Sequence, residues 1–210
     1  MMNLGCTWMK YFLAMIALSM ISAPVHAQEV IIGPSFGFSW GANFADVRKS
    51  YPNATVEKDG DLTVLRIVGA SSPNLPSDTD FLSLLFTDKF GLIKQFWTST
   101  NFAGDIYGSE GKEKFETLYE ALSRRLGEGR EFQYVGAELY RESDEFYECL
   151  GYEGCGAWVV FWRGTESDES IATLQLEGVS RGNGYLAYSV EHPNWYVRGR
   201  EATSSDVSKF

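Results

Sequence analysis

The sequence predicts an α+β protein built from two tandem units, each a helix followed by four antiparallel strands, forming a sheet covered on one face by the helices. Three observations lead there. Residues 108–129, GSEGKEKFETLYEALSRRLGEG, carry Phe115, Leu118, Leu122 and Leu126 at helical spacing, while Lys112, Glu113, Glu116, Glu120 and Arg124 face away. A shorter stripe of Phe44, Val47 and Tyr51 stands ahead of it, and strand-like runs follow each helix. Between two of those runs, Asp59-Gly60 supplies the positive φ angles of a tight hairpin. The halves share element order without residue-level identity, so a duplicated unit is expected from order alone.

The chain opens with Lys10, an apolar run over residues 11–21, and Ala23-Pro-Val-His-Ala27, with small residues where a signal peptidase reads. Cleavage after Ala27 is expected. A retained anchor needs roughly 20 apolar residues, and this run is shorter and followed at once by Pro24. Cys6 precedes the apolar run, which is the wrong order for a lipid-anchored terminus. The organisation is therefore residues 1–27 as signal peptide, 28–107 as the first α+β unit, 108–198 as the second, and 199–210 as a polar, flexible tail. The expected location is periplasmic or secreted.

Residues 36–41 alternate aromatic and small side chains, as a short strand or extended lead-in does. Asn43 then caps the short helix, with Asp46 three residues on, and Pro52 ends it. Strands are expected at 54–58 and 62–68 around the hairpin. The proline-bearing stretch 71–79 is a loop that enters the apolar run 81–86, and a turn at 88–91 leads to a strand at 92–98. In the long helix Ser109 is the expected cap, Glu110 and Glu113 suit its positive end, and Arg124 and Arg125 suit its negative end before Gly127. Strands follow at 132–139, 158–163, 171–177 and 185–191, with a charged, cysteine-bearing excursion up to Gly156.

The formal net charge is −10, and loss of residues 1–27 removes only Lys10 from the charged set. Such a surface repels phosphate backbones and anionic lipid, so neither nucleic acid nor insertion into a membrane after signal cleavage is expected. A basic protein partner would be steered in. The aromatic content of 15% is ample for a core and excludes wholesale disorder. Cys149 and Cys155, six positions apart among Gly151, Gly154 and Gly156, read as a disulfide staple in an exported chain. Their spacing does not fit a C-x-x-C redox pair.

Few constellations carry chemistry. The only histidine past the leader is His192, followed by Pro193 at a strand end, which argues against a nucleophilic triad. Asp78, Asp80, Asp105, Glu138 and Glu148 keep a paired-carboxylate glycosidase open without diagnostic spacing. The acidic turns at 59–61, 77–80 and 166–169 lack the twelve-residue loop of a calcium site, and no metal or cofactor is expected. Gly182-Asn-Gly184 reads as a turn between strands. In Trp158-Val-Val-Phe-Trp162, alternation places Trp158, Val160 and Trp162 on one face and Val159 and Phe161 on the other. With Tyr185, Tyr188, Trp195 and Tyr196 these aromatics are either anchors for a protein partner or core beneath the helices. Trp158, Trp162, Tyr185, Tyr188 and Trp195 are the candidate binding residues.

Phe38-Ser-Trp-Gly-Ala-Asn-Phe-Ala-Asp-Val47 resembles the turn-plus-helix opening, and Phe86-Thr-Asp-Lys-Phe-Gly-Leu92 the strand-turn-strand step, of the small α+β unit in the β-lactamase inhibitor protein and in the outer-membrane assembly lipoprotein BamE. The likeness covers most of residues 36–192 in element order and transfers no binding residue. The inhibitor has a disulfide in each unit where this chain has one, and BamE has a lipidated cysteine that this chain lacks. An eight-stranded outer-membrane barrel is the competing architecture, opposed by the long charged helix and by a final stretch without an alternating apolar face. The expected function is an exported, soluble, non-enzymatic binding protein, of the inhibitor, immunity or envelope accessory kind, using an acidic, aromatic-rich sheet face. A carboxylate-dependent cell-wall or glycan hydrolase is the alternative, and a ligand carrier a third.

Overall fold

The computed structural model describes residues 32–69, 74–136, 139–165 and 169–197. The expected leader and tail lie outside the described residues, as do Glu138 and three residues of the 166–169 turn. The chain is α+β, with one antiparallel sheet of nine strands. Helix α1 (Phe44–Ser50) precedes β1 (Thr55–Asp59), β2 (Leu62–Val68), β3 (Thr79–Thr87), β4 (Gly91–Ser99) and the two-residue β5 (Phe102–Ala103). Helix α2 (Ser109–Leu126) leads to β6 (Arg130–Tyr134). A 3-10 turn (Ser143–Glu145) and helix α3 (Phe146–Leu150) precede β7 (Ala157–Arg163), β8 (Ile171–Ser180) and β9 (Asn183–Glu191).

Strands lie in the order β1-β2-β3-β4-β9-β8-β7-β6, with β5 added against β9. The first four run in chain order and the rest in reverse, so the last strand of each half meets the other at the β4/β9 seam, where Trp97 stands opposite Tyr188. The path ends at β1 and β6 and does not close on itself as a barrel would. Among the described residues no helix is long and apolar enough to cross a membrane.

Local chemistry explains most boundaries. The Asn43 side chain accepts from Ala45 N at 2.8 Å and starts α1. Gly60, at φ +60°, opens the β1/β2 hairpin, whose two-residue loop is Gly60-Asp61, because Asp59 already pairs with Leu62. Gly91, at φ +65°, begins β4 where an added Cβ would collide with the Gly41 carbonyl, so α1's lead-in can bond directly to the strand: Gly41 N to Leu92 O, 3.1 Å, and Leu92 N to Ala42 O, 3.0 Å.

Several expectations are corrected. Residues 36–41 form bends and turns, not a strand, and Phe36 itself has φ +61°. The N-cap of α2 is Gly108 and makes no side-chain bond; Asp105 does the capping instead, accepting from Ser109 N at 2.8 Å and Gly111 N at 3.0 Å. Strand β6 stops at Tyr134, short of the expected 139, because Gly136 turns the chain at φ +73°. The cysteine-bearing excursion is partly helical: Glu142 and Glu145 cap one another's backbone reciprocally, which starts the 3-10 turn that runs into α3. The β8/β9 turn falls at Arg181-Gly182, since Ser180 already pairs with Asn183. Cys149 and Cys155 are bonded and fully buried, with Cα atoms 5.1 Å apart.

Both α1 and α2 lie on one face of the sheet. Phe44 of α1 meets Phe86 edge-on at 5.6 Å. Tyr119 of α2 packs on Trp162 at 5.9 Å, and Trp162 Nε1 donates to Gly127 O, just past the helix end, at 2.9 Å. The core fills the space between, from Leu65, Leu84 and Phe86 across Trp97 to Leu174, Leu186 and Val160, with Phe115 pressing down from α2.

Candidate functional site

Because strand side chains alternate, residues opposite in register on the sheet's other face can be followed across strands. One row runs Arg66, Ser83, Phe96, Ser189, Thr173, Phe161 and Arg130, from β2 to β6 through every intervening strand of the path. Neither α1 nor α2 covers it. An arginine stands at each end, and each guanidinium caps an aromatic ring of the neighbouring row: Arg66 lies 3.7 Å from the Phe81 centroid and Arg130 4.9 Å from that of Phe132. Phe81 and Phe96 pack at 5.9 Å, and Phe132 and Phe161 meet edge-on at 5.9 Å. Phe161 and Phe132 remain 40% and 39% exposed, which is unusual for rings on a sheet that is otherwise well filled.

A second row on this face holds Lys94 beside Glu191, bridged at 2.6 Å with side chains only 20% and 16% exposed. The helical residues 193–197 fold over them: Trp195 takes the Lys94 ammonium 4.5 Å above its ring, and the Tyr196 hydroxyl donates to Glu191. Burial, then the Glu191 carboxylate, push the Tyr196 hydroxyl well above its usual range. Burial likewise raises the Glu177 carboxyl, and burial followed by the Glu177 charge raises Tyr185 opposite it on β9. Counted by position, the face carries Arg66, Lys94, Arg130 and Arg163 against Glu57, Asp59, Glu177 and Glu191, so charges of both signs balance there, whereas the whole chain stands at −10.

No protein family, curated protein or solved structure matches the chain. The geometry of its own residues is therefore what identifies a site.

The five aromatic candidates divide between the two faces. Trp162 and Tyr188 are 2% and 3% exposed beneath α2, and Trp158 is half-buried against Phe146 at 5.4 Å. Tyr185 and Trp195 lie on the uncovered side. His192 meets Trp40 edge-on at 5.4 Å and its Nδ1 accepts from Asn194 N at 3.2 Å. Among the candidate acids, Asp78 is ion-paired with Lys114 at 2.9 Å and Asp105 is committed to the start of α2, while Asp80 is exposed on β3. Glu148 is half-buried in α3, with one carboxylate oxygen lacking a partner among the described residues. Among the described residues no three His, Cys, Asp or Glu side chains gather as a metal site would require.

The local sequence points to tryptophans and tyrosines, and not to Phe161, Phe96, Arg66 and Arg130, as the candidate binding residues. The signal for Phe161 was present, since it alternates with Trp158 and Trp162 and must occupy the opposite face. Choosing between the faces required knowing which one the helices cover. The register that lines up Arg66 with Arg130 across the sheet has no trace in local sequence.

Proposed function

We propose that the chain is an exported, non-enzymatic binding protein that holds a protein partner on the uncovered face of its sheet. The observation that carries this reading is the row from Arg66 to Arg130, in which the half-buried Phe96 and the exposed Phe161 are interleaved with hydroxyls and terminated by arginines. Aromatic and arginine side chains on a rigid, hydrogen-bonded floor are the groups that dominate binding energy at protein interfaces. At long range the net charge of −10 attracts a basic partner, while at contact Arg66, Arg130 and Arg163 receive individual carboxylates from it. The buried Cys149–Cys155 bond supports an oxidising, periplasmic or secreted location. The strand order, four in sequence and four reversed about the β4/β9 seam, supports the tandem-unit reading.

The test is capture from an envelope extract on the immobilised chain. One stoichiometric partner is expected, lost with Phe161→Asp and with Arg130→Glu but retained with Glu120→Lys on the outer side of α2. A partner kept by all three variants refutes the face assignment. Turnover of peptidoglycan, abolished by Asp80→Ala or Glu148→Ala, would replace binding with hydrolysis.

A further inference from the structure

We propose that a second site, the cleft between α2 and the sheet, binds a small amphipathic monocarboxylate, with its head on Arg125 and its apolar body against Trp97 and Leu174. The cleft has a volume of about 260 Å³. Leu118 and Leu122 of α2 form one wall and Trp97 and Leu174 the floor, while Phe36 and Pro76 flank the mouth. It lies on the helix-covered side of the sheet, away from the row that ends in Arg66 and Arg130, so either site can fail without the other.

The polar atoms of this cleft gather at one end. A single guanidinium nitrogen of Arg125 donates to Ser35 Oγ at 2.8 Å and to the Tyr188 hydroxyl at 3.1 Å. That accounts for two of the five N–H donors of an arginine; Arg125 is exposed, so the other three face the open side of the cleft, where an anion would meet them in place of solvent. None of the ion pairs formed by described residues includes Arg125, although the chain carries 28 acidic against 18 basic side chains. A guanidinium steadied by two hydroxyls, with free donors and no carboxylate beside an apolar hollow, is a receptor for a planar anion. Ser35 Oγ lies 3.5 Å from the Tyr188 oxygen and donates toward it, which leaves the Tyr188 O–H as a further donor for the same anion. Burial raises the Tyr188 hydroxyl above its usual range, against the lowering effect of Ser35 and Arg125, so it stays protonated and able to donate.

Size selects within that class. At roughly 30 Å³ of liquid volume per water-sized atom, the cleft accommodates on the order of nine non-hydrogen atoms. A carboxylate with about six to eight carbons, straight or carrying one ring, fills it. One cationic side chain suits a monoanion and not a phosphate dianion.

The experiment is calorimetric titration of the disulfide-intact chain with octanoate and, in parallel, with neutral octanamide. Saturable one-to-one binding of octanoate is expected, with octanamide at least about tenfold weaker. Arg125→Gln should bring the two ligands level by weakening octanoate alone. Ala121→Trp, placed at the exposed mouth where no core packing is disturbed, should abolish both. Circular dichroism and thermal unfolding of both variants confirm that the fold is kept. No saturable octanoate binding at millimolar concentration, or binding that survives Ala121→Trp, or that is equal in Arg125→Gln, overturns the proposal.

Discussion

Tyr147 donates its hydroxyl to Asp105 Oδ2 at 2.9 Å, joining residues 42 apart in the chain and fastening α3 to the first turn of α2. The same carboxylate accepts the Ser109 and Gly111 amides, so it closes the open end of one helix and anchors another. Burial alone would raise the Asp105 carboxyl, but bonds from Gly111, Tyr147, Glu110 and Ser109 hold it below its ordinary 3.8.

Asp105→Ala removes the cap and leaves a buried hydroxyl without its acceptor, and is expected to cost about 2–4 kcal/mol. Tyr147→Phe leaves the capped amides in place and is expected to cost about 1 kcal/mol. A carboxylate held low in the folded state contributes stability that is complete above its ordinary pKa and lost as the pH falls through the folded value. The gap between wild type and Asp105→Asn should therefore be full at neutral pH and shrink below 3.8. Urea unfolding across that range measures it, and a gap independent of pH would refute an ionised cap.

Gly111 lies inside α2, where alanine is intrinsically the better residue by about 1 kcal/mol. Here the order reverses, because an added Cβ would collide with the Tyr147 hydroxyl and come 3.1 Å from Leu176 Cδ1. Gly111→Ala is expected to destabilise by about 1–3 kcal/mol. Combining it with Tyr147→Phe, which vacates the space, should recover part of that loss; a strictly additive double variant would show that the hydroxyl is not the obstacle.

The Cys149–Cys155 bond closes a ring of six-residue separation between α3 and β7. Chain-entropy arguments give such a short ring about 2 kcal/mol. The Cys149→Ala, Cys155→Ala double variant should unfold at lower denaturant with the far-ultraviolet spectrum of the sheet unchanged. Loss of the sheet signal would mean that the bond organises more than its own turn.

Glu177 sits half-buried on the uncovered face, receiving a bond from Gln175, and burial raises its carboxyl above the ordinary 4.5. An acid raised in the folded state loses stability as the pH rises through its folded pKa, so at neutral pH its charge opposes folding. Glu177→Gln is expected to stabilise slightly at neutral pH, within about 0.5 kcal/mol, and to be neutral below 4.5. Destabilisation at neutral pH would show that the ionised group is needed on this face.

Much of this fold is legible in local pattern. The stripe from Phe115 to Leu126 marks α2, Asn43 marks the start of α1, and the alternation around Trp158 correctly separates the Trp162 face from the Phe161 face. What local pattern misses is what depends on distant partners. Asp105 caps α2 only because Tyr147 and the helix amides converge on it, while Ser109 looked the better cap from its position alone. Residues 143–150 read as a charged loop, yet the reciprocal capping by Glu142 and Glu145 and the burial of Phe146 and Tyr147 make them helical. The Arg125 cluster was invisible because Ser35, Arg125 and Tyr188 come from segments 90 and 63 positions apart.

The seam between β4 and β9 also dictates when the molecule is finished. Strand β4 is buried along most of its length, and residues 94–98 on its side away from β3 pair with residues 187–191, near the end of the described residues. A nascent polypeptide halted before Asn183 would hold Trp97, Gln95 and Ile93 along a sticky, unmated rim, ready to zip onto a neighbour. Until the final strand arrives, that rim stays open to pairing with another chain.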